Sequence, residues 1–291
     1  MLSYLCLASA MMIVGAYVGF SKLLVAVFPV FLLAWLRFGI AAVAMATWLK
    51  RGVNEPPLDA RTKNLLFLES FLGNFLFSIC MLFGMKHATA ISAGIIMAGI
   101  PAAVALLSRI FLHERMSARM IAAIALAVAG VSALALSRGE ASDTSTSALG
   151  TLLLIGAVFC EASYVVIGKR LTGNVSPKRI SALINVWGLA LVTPFGIWAA
   201  LSFDFHAVSF GIWGGLVLYA LAASMWTVWL WMTGLKKVPA SKAGIFTVFL
   251  PITSAMVGVI FLGENFTAAH AVAFAFALAG VVLATWPTSE A

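Results

Sequence analysis

The residues with chemical potential are few, and Glu161 comes first. It ends the apolar run Ile155-Gly156-Ala157-Val158-Phe159-Cys160-Glu161, with Lys169 eight residues on. In a membrane span starting near Leu149, its carboxyl lies about 12 residues in, roughly 18 Å from one end. Ionised there it costs on the order of 2.5–3.5 kcal/mol unless paired or hydrated. Desolvation favours the neutral form of an acid, which is the physical basis of a proton-coupling role. A fixed ion pair with Arg37 or Lys169, or a side chain reaching back to the inner face, is the competing reading. Arg37 stands about eight residues into another apolar run and cannot shed its charge. It suits either a partner for Glu161 or a clamp for a substrate carboxylate. Glu69 is about five residues from the end of its run, close enough to snorkel to the interface.

Neutral polar and aromatic residues complete the candidates. Asn74, Ser78 and Asn185 can hydrogen-bond a substrate or a neighbouring helix. Tyr17 and Tyr164 occupy corresponding positions, Tyr17-Val18 with Lys22 against Tyr164-Val165 with Lys169. Trp226, Trp229 and Trp231 crowd one segment; they suit a headgroup belt, or, with Trp226 foremost, an aromatic wall for planar or cationic substrates. Pro101 and Pro251 sit mid-run, where each removes a backbone hydrogen bond. Helix breaks at matching positions point to the substrate site in inverted-repeat transporters, and a plain structural kink is the alternative.

Other chemistries lack their residues. Cys6, Cys80 and Cys160 fall singly in apolar runs without a CxxC pair, which argues against a disulfide framework and a zinc site. His113-Glu114 has no second histidine, so no metal and no cofactor is expected. There is no GxSxG or paired Asp for an intramembrane enzyme, and only scattered charges where a channel needs a ring or filter. The net charge of +8 comes from short basic clusters between apolar runs. These read as topology determinants, and no nucleic-acid partner is expected.

The elements that must position these residues are membrane helices. Of 291 residues, 63% are hydrophobic and 10% charged, too apolar a balance for a soluble core to absorb. Runs near 20 residues long predict spans at Tyr4–Val27, Pro29–Leu49, Asn64–Met85, Ala90–Leu112, Ser117–Leu136, Leu149–Ile167, Pro177–Leu201, Phe210–Thr233, Ala240–Leu262 and Thr267–Trp286. Ala8-Ser9-Ala10 resembles a signal-peptidase site, but no Lys or Arg precedes it and the apolar run continues past it; the first span is expected to be retained. Gly15-x-x-x-Gly19 and Gly211-x-x-x-Gly215 would let helices approach closely.

The runs fall into two copies. Gly84–Leu134 and Gly234–Ala284 align without a gap at an offset of 150 residues, and about 19 of the 51 positions are identical. Shared landmarks include Ala93-Gly94-Ile95/Ala243-Gly244-Ile245, Pro101/Pro251, Ile110-Phe111-Leu112/Ile260-Phe261-Leu262 and Glu114/Glu264. Arg109, Arg115 and Arg119 have the uncharged counterparts Val259, Asn265 and Ala269. Since Lys and Arg gather on the cytoplasmic side, the copies are expected to face opposite ways. Five spans per half satisfies that requirement, because an odd number inverts the second half. The expected fold is therefore an all-α membrane protein of ten transmembrane helices in two inverted five-helix repeats, 1–136 and 149–287, joined by a polar linker at 137–148. With both termini cytoplasmic, about 14 of the 18 Lys and Arg residues lie at inner loops and span ends.

The doubled Ala-Gly-Ile, mid-span Pro, Phe-Leu-x-Glu and Ala-Gly-Val pattern, with Arg37-Phe38 in the second span, resembles the drug/metabolite transporter superfamily, of the ten-span EamA type. The resemblance covers nearly the whole chain. It implies a secondary transporter in a bacterial-type inner membrane, often an exporter of amino acids, other metabolites or drugs, working as a monomer or homodimer. It also implies a central cavity lined by both halves. The stretch around Glu161 resembles, more narrowly, the first span of small multidrug-resistance transporters, whose matching Glu exchanges cation for proton. The other half has Val14 at that position and keeps only Lys22, so that antiport does not carry over intact.

Overall fold

The protein is described from a computed structural model, which covers residues 2–52, 55–112, 118–119, 121–122, 125–126, 129–130, 147–173, 175–238, 246 and 249–285. Every regular element among them is helical. In chain order these are α1 (Leu2–Val27), α2 (Val30–Ala44), α3 (Ala60–Glu69), α4 (Phe77–Lys86), α5 (Ala90–Met97) and α6 (Ile100–Leu112). Then follow α7 (Ala148–Leu171), α8 (Pro177–Leu201), α9 (Phe210–Ala220), α10 (Thr227–Lys237), α11 (Phe249–Leu262) and α12 (Ala268–Thr285). α3 runs into α4 through a π-helical stretch, Ser70–Leu76, and α9 into α10 through another, Leu221–Trp226. The two wide turns lie at nearly the same offset as the sequence duplication.

Among the described residues, five helical stretches are long and apolar enough to cross a bilayer: 2–27, 60–86, 148–171, 177–201 and 210–237. Shorter apolar helices lie at 30–44, 90–104, 249–262 and 270–280. The fifth expected span, Ser117–Leu136, falls mostly outside the described residues. So do Glu114, Arg115 and nearly all of the linker 137–148.

Local sequence explains where the helices begin. Asp59 accepts from the Thr62 amide at 2.8 Å to open α3, and Ser147 from the Gly150 amide at 3.0 Å to open α7. Thr89 accepts from the Ser92 amide at 3.1 Å to open α5, and Pro177 takes the first position of α8. Pro101 differs from the mid-run placement expected of it: the helix already breaks at Ala98–Gly99, and Pro101 stands within the first turn of α6. A proline there forfeits no intrahelical bond, because the first-turn amides have no partner within the helix. Pro251 lies in α11, and the residues just before Phe249 fall outside the described ones.

Packing crosses between the two parts of the chain. α1 lies against α10 and α11, while α7 lies against α4 and α6, and α2 packs on α8. Gly15 and Gly19 press on α11: a Cβ on Gly15 would come within 1.9 Å of Thr253 Oγ1. The second small-residue motif behaves otherwise, since Gly211 has open space around it. Lys22 of α1 pairs with Glu264 at 3.2 Å, and the same carboxylate accepts from the Ala90 and Ile91 amides at 2.8 and 3.0 Å. Gly263, at φ 64°, supplies the left-handed turn that swings Glu264 back into that position.

Candidate functional site

α1, α2, α4, α7, α8, α10 and the two π-helical stretches surround a small cavity of about 40 Å³. Of the residues expected at a site, Tyr17, Arg37, Asn74, Glu161 and Tyr164 line it together. Gly73 belongs to the first π-helical stretch and Ala223 to the second, so both wide turns reach the cavity wall. Such turns recur at functional sites because they displace side chains from the regular helical rows. Gly73 also has a steric reason to be glycine here. A Cβ on it would meet Tyr164 Cβ at 2.5 Å.

Arg37 and Glu161 supply opposite charges without pairing. The Arg37 guanidinium donates to Ser78 Oγ at 2.5 Å and to Asn74 Oδ1 at 3.5 Å, and its carbon lies 4.3 Å from the Phe38 ring centroid. Its Nε finds no partner. Ser78 donates in turn to the Asn74 carbonyl, so these three residues form one unit. Glu161 makes no ion pair or hydrogen bond among the described residues. Lys169, its other expected partner, instead donates to the Leu235 and Val238 carbonyls at 2.9 and 3.3 Å, neutralising the C-terminal end of α10.

The rest of the wall is aromatic and short of partners. Tyr17 meets Tyr219 edge-on, with ring centroids 5.9 Å apart. Around the cavity, the hydroxyls of Tyr164 and Thr227 and the Trp231 indole N–H are buried without a hydrogen-bond partner. Buried polar groups are normally satisfied, so this many orphans around one space mark a site that something polar completes.

Several expected positions lie elsewhere. Ser78 is behind Arg37, outside the lining, as its positioning partner. Asn185 donates to the Phe38 carbonyl at 2.9 Å and holds α8 to α2. Trp226 is 37% exposed and absent from the lining, whereas Trp231, five residues on, is 3% exposed and part of it. Pro101 and Pro251 do not reach the cavity. Glu69 departs from the snorkelling expected of it. It is wholly buried, and neither carboxylate oxygen has a partner.

A membrane-embedded, all-helical protein with a charged, polar-lined cavity at the meeting point of its helices is built as a transporter is. The comparisons with known proteins say which one it is akin to. Residues 1–136 and 148–286 each match the EamA-like transporter family, and the chain belongs to that family. It is similar to the uncharacterized transporter YetK of Bacillus subtilis (strain 168), at 35% identity over 283 residues, covering 96% of this chain and 85% of that one. It is also similar to a probable terminal-alkyne amino-acid exporter of Streptantibioticus cattleyicolor, at 24% identity, covering 85% and 81% of the two chains. A crystal structure superimposes with a TM-score of 0.67 over 97% of this chain and 96% of its own. At 19% identity that likeness speaks for the fold alone. The chain is an integral membrane protein of a transporter family.

Proposed function

We propose that the protein is a secondary active transporter that exports a small metabolite with both an anionic and a cationic group, such as an amino acid, by alternating access. The observation that carries this reading is the pair of opposite charges, Arg37 and Glu161, on the wall of one cavity and without an ion pair among the described residues. A substrate carboxylate facing Arg37 and an ammonium facing Glu161 would satisfy both without either leaving its helix. The exporter named among the relatives handles an amino acid, in keeping with that chemistry. At about 40 Å³ the cavity has room for little more than one water molecule. Small-molecule pockets are typically about 300–1,000 Å³. The helices around it must therefore part before a substrate enters, as alternating access requires.

The ten-span arrangement belongs to this proposal. Repeats at 1–136 and 149–287, inverted relative to each other and with both termini on the cytoplasmic side of an inner membrane, would act as two half-shells rocking about the cavity. The reciprocal packing of α1 and α7, each on helices of the other half, supports it.

Glu161 carries the coupling part of the proposal, trading a proton for the substrate's cationic group. Radiolabelled L-amino acids in proteoliposomes provide the assay. Glu161→Gln is expected to abolish pH-gradient-driven accumulation and to unfold within about 1 kcal/mol of the parent, because removing this charge strands no buried cation. A folded Gln variant with the parent's full response to a pH gradient would sink the coupling, and no saturable uptake of any amino acid would sink the substrate class.

A further inference from the structure

We propose that Glu69 is a second proton-carrying acid, a relay between Glu161 and the cytoplasmic end of α7. The inference rests on the coupling role of Glu161 and extends it to a residue that does not line the cavity. Glu69 is the last residue of α3, directly before the first π-helical stretch. It is 0% exposed, and both of its carboxylate oxygens lack a hydrogen-bond partner. It faces α7, where a Cβ on Gly168 would come within 2.9 Å of its Oε1. A glycine at 168 leaves the carboxyl room without displacing it.

The face of α7 that it meets is continuous with the cavity. Glu161, Tyr164 and Gly168 follow at spacings of three and four, so they share one side of the helix. The seven-position step from Glu161 to Gly168 spans about 10 Å, nearly two turns. Tyr164 lies between Glu161 and Gly168 along that side of α7, and its hydroxyl is buried without a partner. Together these groups form a row of ionisable and hydroxyl side chains from the cavity toward Lys169 and Arg170 in the last turn of α7.

Among the described residues, no cation pairs with Glu69. Lys169 on α7 is turned to the α10 carbonyls. On α8, Arg179 pairs with Glu55 at 3.0 Å, and Lys178 lies over the Trp48 and Trp229 rings. The flanking α10 presents Met232 beside Gly168. A desolvated carboxylate without a counter-ion takes up a proton. Once Glu161 has given up its proton, a neutral Glu69 on the same row can replace it. The step balances simply. Glu69 in its acid form gives its proton to the Glu161 carboxylate, with the Tyr164 hydroxyl able to receive one proton as it passes one on, and Glu69 is refilled from cytoplasmic water.

Two measurements on the full-length protein test this. Infrared difference spectra of the reconstituted parent should contain carbonyl-stretch absorption from protonated carboxylic acids at neutral pH, and Glu69→Gln should remove one component. In proteoliposomes carrying radiolabelled L-amino acids, Glu69→Gln should slow pH-gradient-driven uptake at least tenfold, with Glu69→Asp recovering part of the rate. A parent spectrum unchanged by Glu69→Gln, or a Gln variant with the parent's pH-driven rate, overturns the relay. If Glu69→Gln does not fold, Glu69→Asp serves instead: a shifted acid band with slowed pH-driven uptake upholds the relay, and an unshifted band overturns it. Glu161→Gln separates the two proposals. A pH response lost in Glu161→Gln but intact in Glu69→Gln refutes the relay alone, whereas one intact in Glu161→Gln refutes the coupling on which it depends.

Discussion

Glu264 offers a test of how the packing is held, with a magnitude that follows from its bonds. Its carboxylate accepts from the Ala90 and Ile91 amides at 2.8 and 3.0 Å and from Lys22 Nζ at 3.2 Å, with the Glu264 side chain 9% and the Lys22 side chain 35% exposed. The two amides belong to the first turn of α5 and have no partner within that helix. Bonds to a charged acceptor contribute roughly 1.5–3 kcal/mol each. Glu264→Ala removes both and should cost about 3–6 kcal/mol. Glu264→Gln keeps one acceptor oxygen but turns an NH₂ toward the other amide, for roughly 1.5–3 kcal/mol. Lys22 can swing into water when its partner is lost, so Lys22→Met should cost under about 1 kcal/mol. Unfolding by sodium dodecyl sulfate, followed by tryptophan fluorescence, reads all three. The expected order is Ala worst, Gln intermediate, Lys22→Met least. A Lys22→Met cost equal to that of Glu264→Ala would refute the reasoning, since it would put the stabilisation in the ion pair and not in the helix cap.

Two further outcomes are expected. Gly73→Leu must drive Tyr164 from its place, given the 2.5 Å approach of even a Cβ; it should cost about 1–3 kcal/mol and suppress amino-acid uptake, and unchanged uptake would detach Tyr164 from the site. A cysteine at Asp143 should react with an impermeant reagent from outside the cell and one at Asn54 should not, the reverse pattern being fatal to the proposed orientation.

The sequence by itself determined the class and the family. Its apolar balance leaves a membrane as the only medium able to accept the surface, and the repeated Ala-Gly-Ile, Pro and Phe-Leu-x-Glu landmarks are the pattern that both halves share with EamA-like transporters. Single polar residues in apolar runs stand out without a structure, which is why Arg37, Glu161, Asn74 and the two tyrosines were legible as candidates and are found around one cavity. Tertiary structure alone decided which way each one turns. Arg37 and Glu161 are 124 positions apart in the chain, and only the crossed packing of α1, α2, α7 and α10 could bring them to one space unpaired. A regular helical period draws attention to Trp226, yet Trp231 lines the cavity with Thr227, four residues before it. The reason is the π-helical stretch ending at Trp226, whose wider turn shifts the phase of everything that follows. Glu69 misled for a related cause. Distance along the helix permits snorkelling, but α7, with a glycine at 168, closes over the carboxyl and leaves it wholly buried.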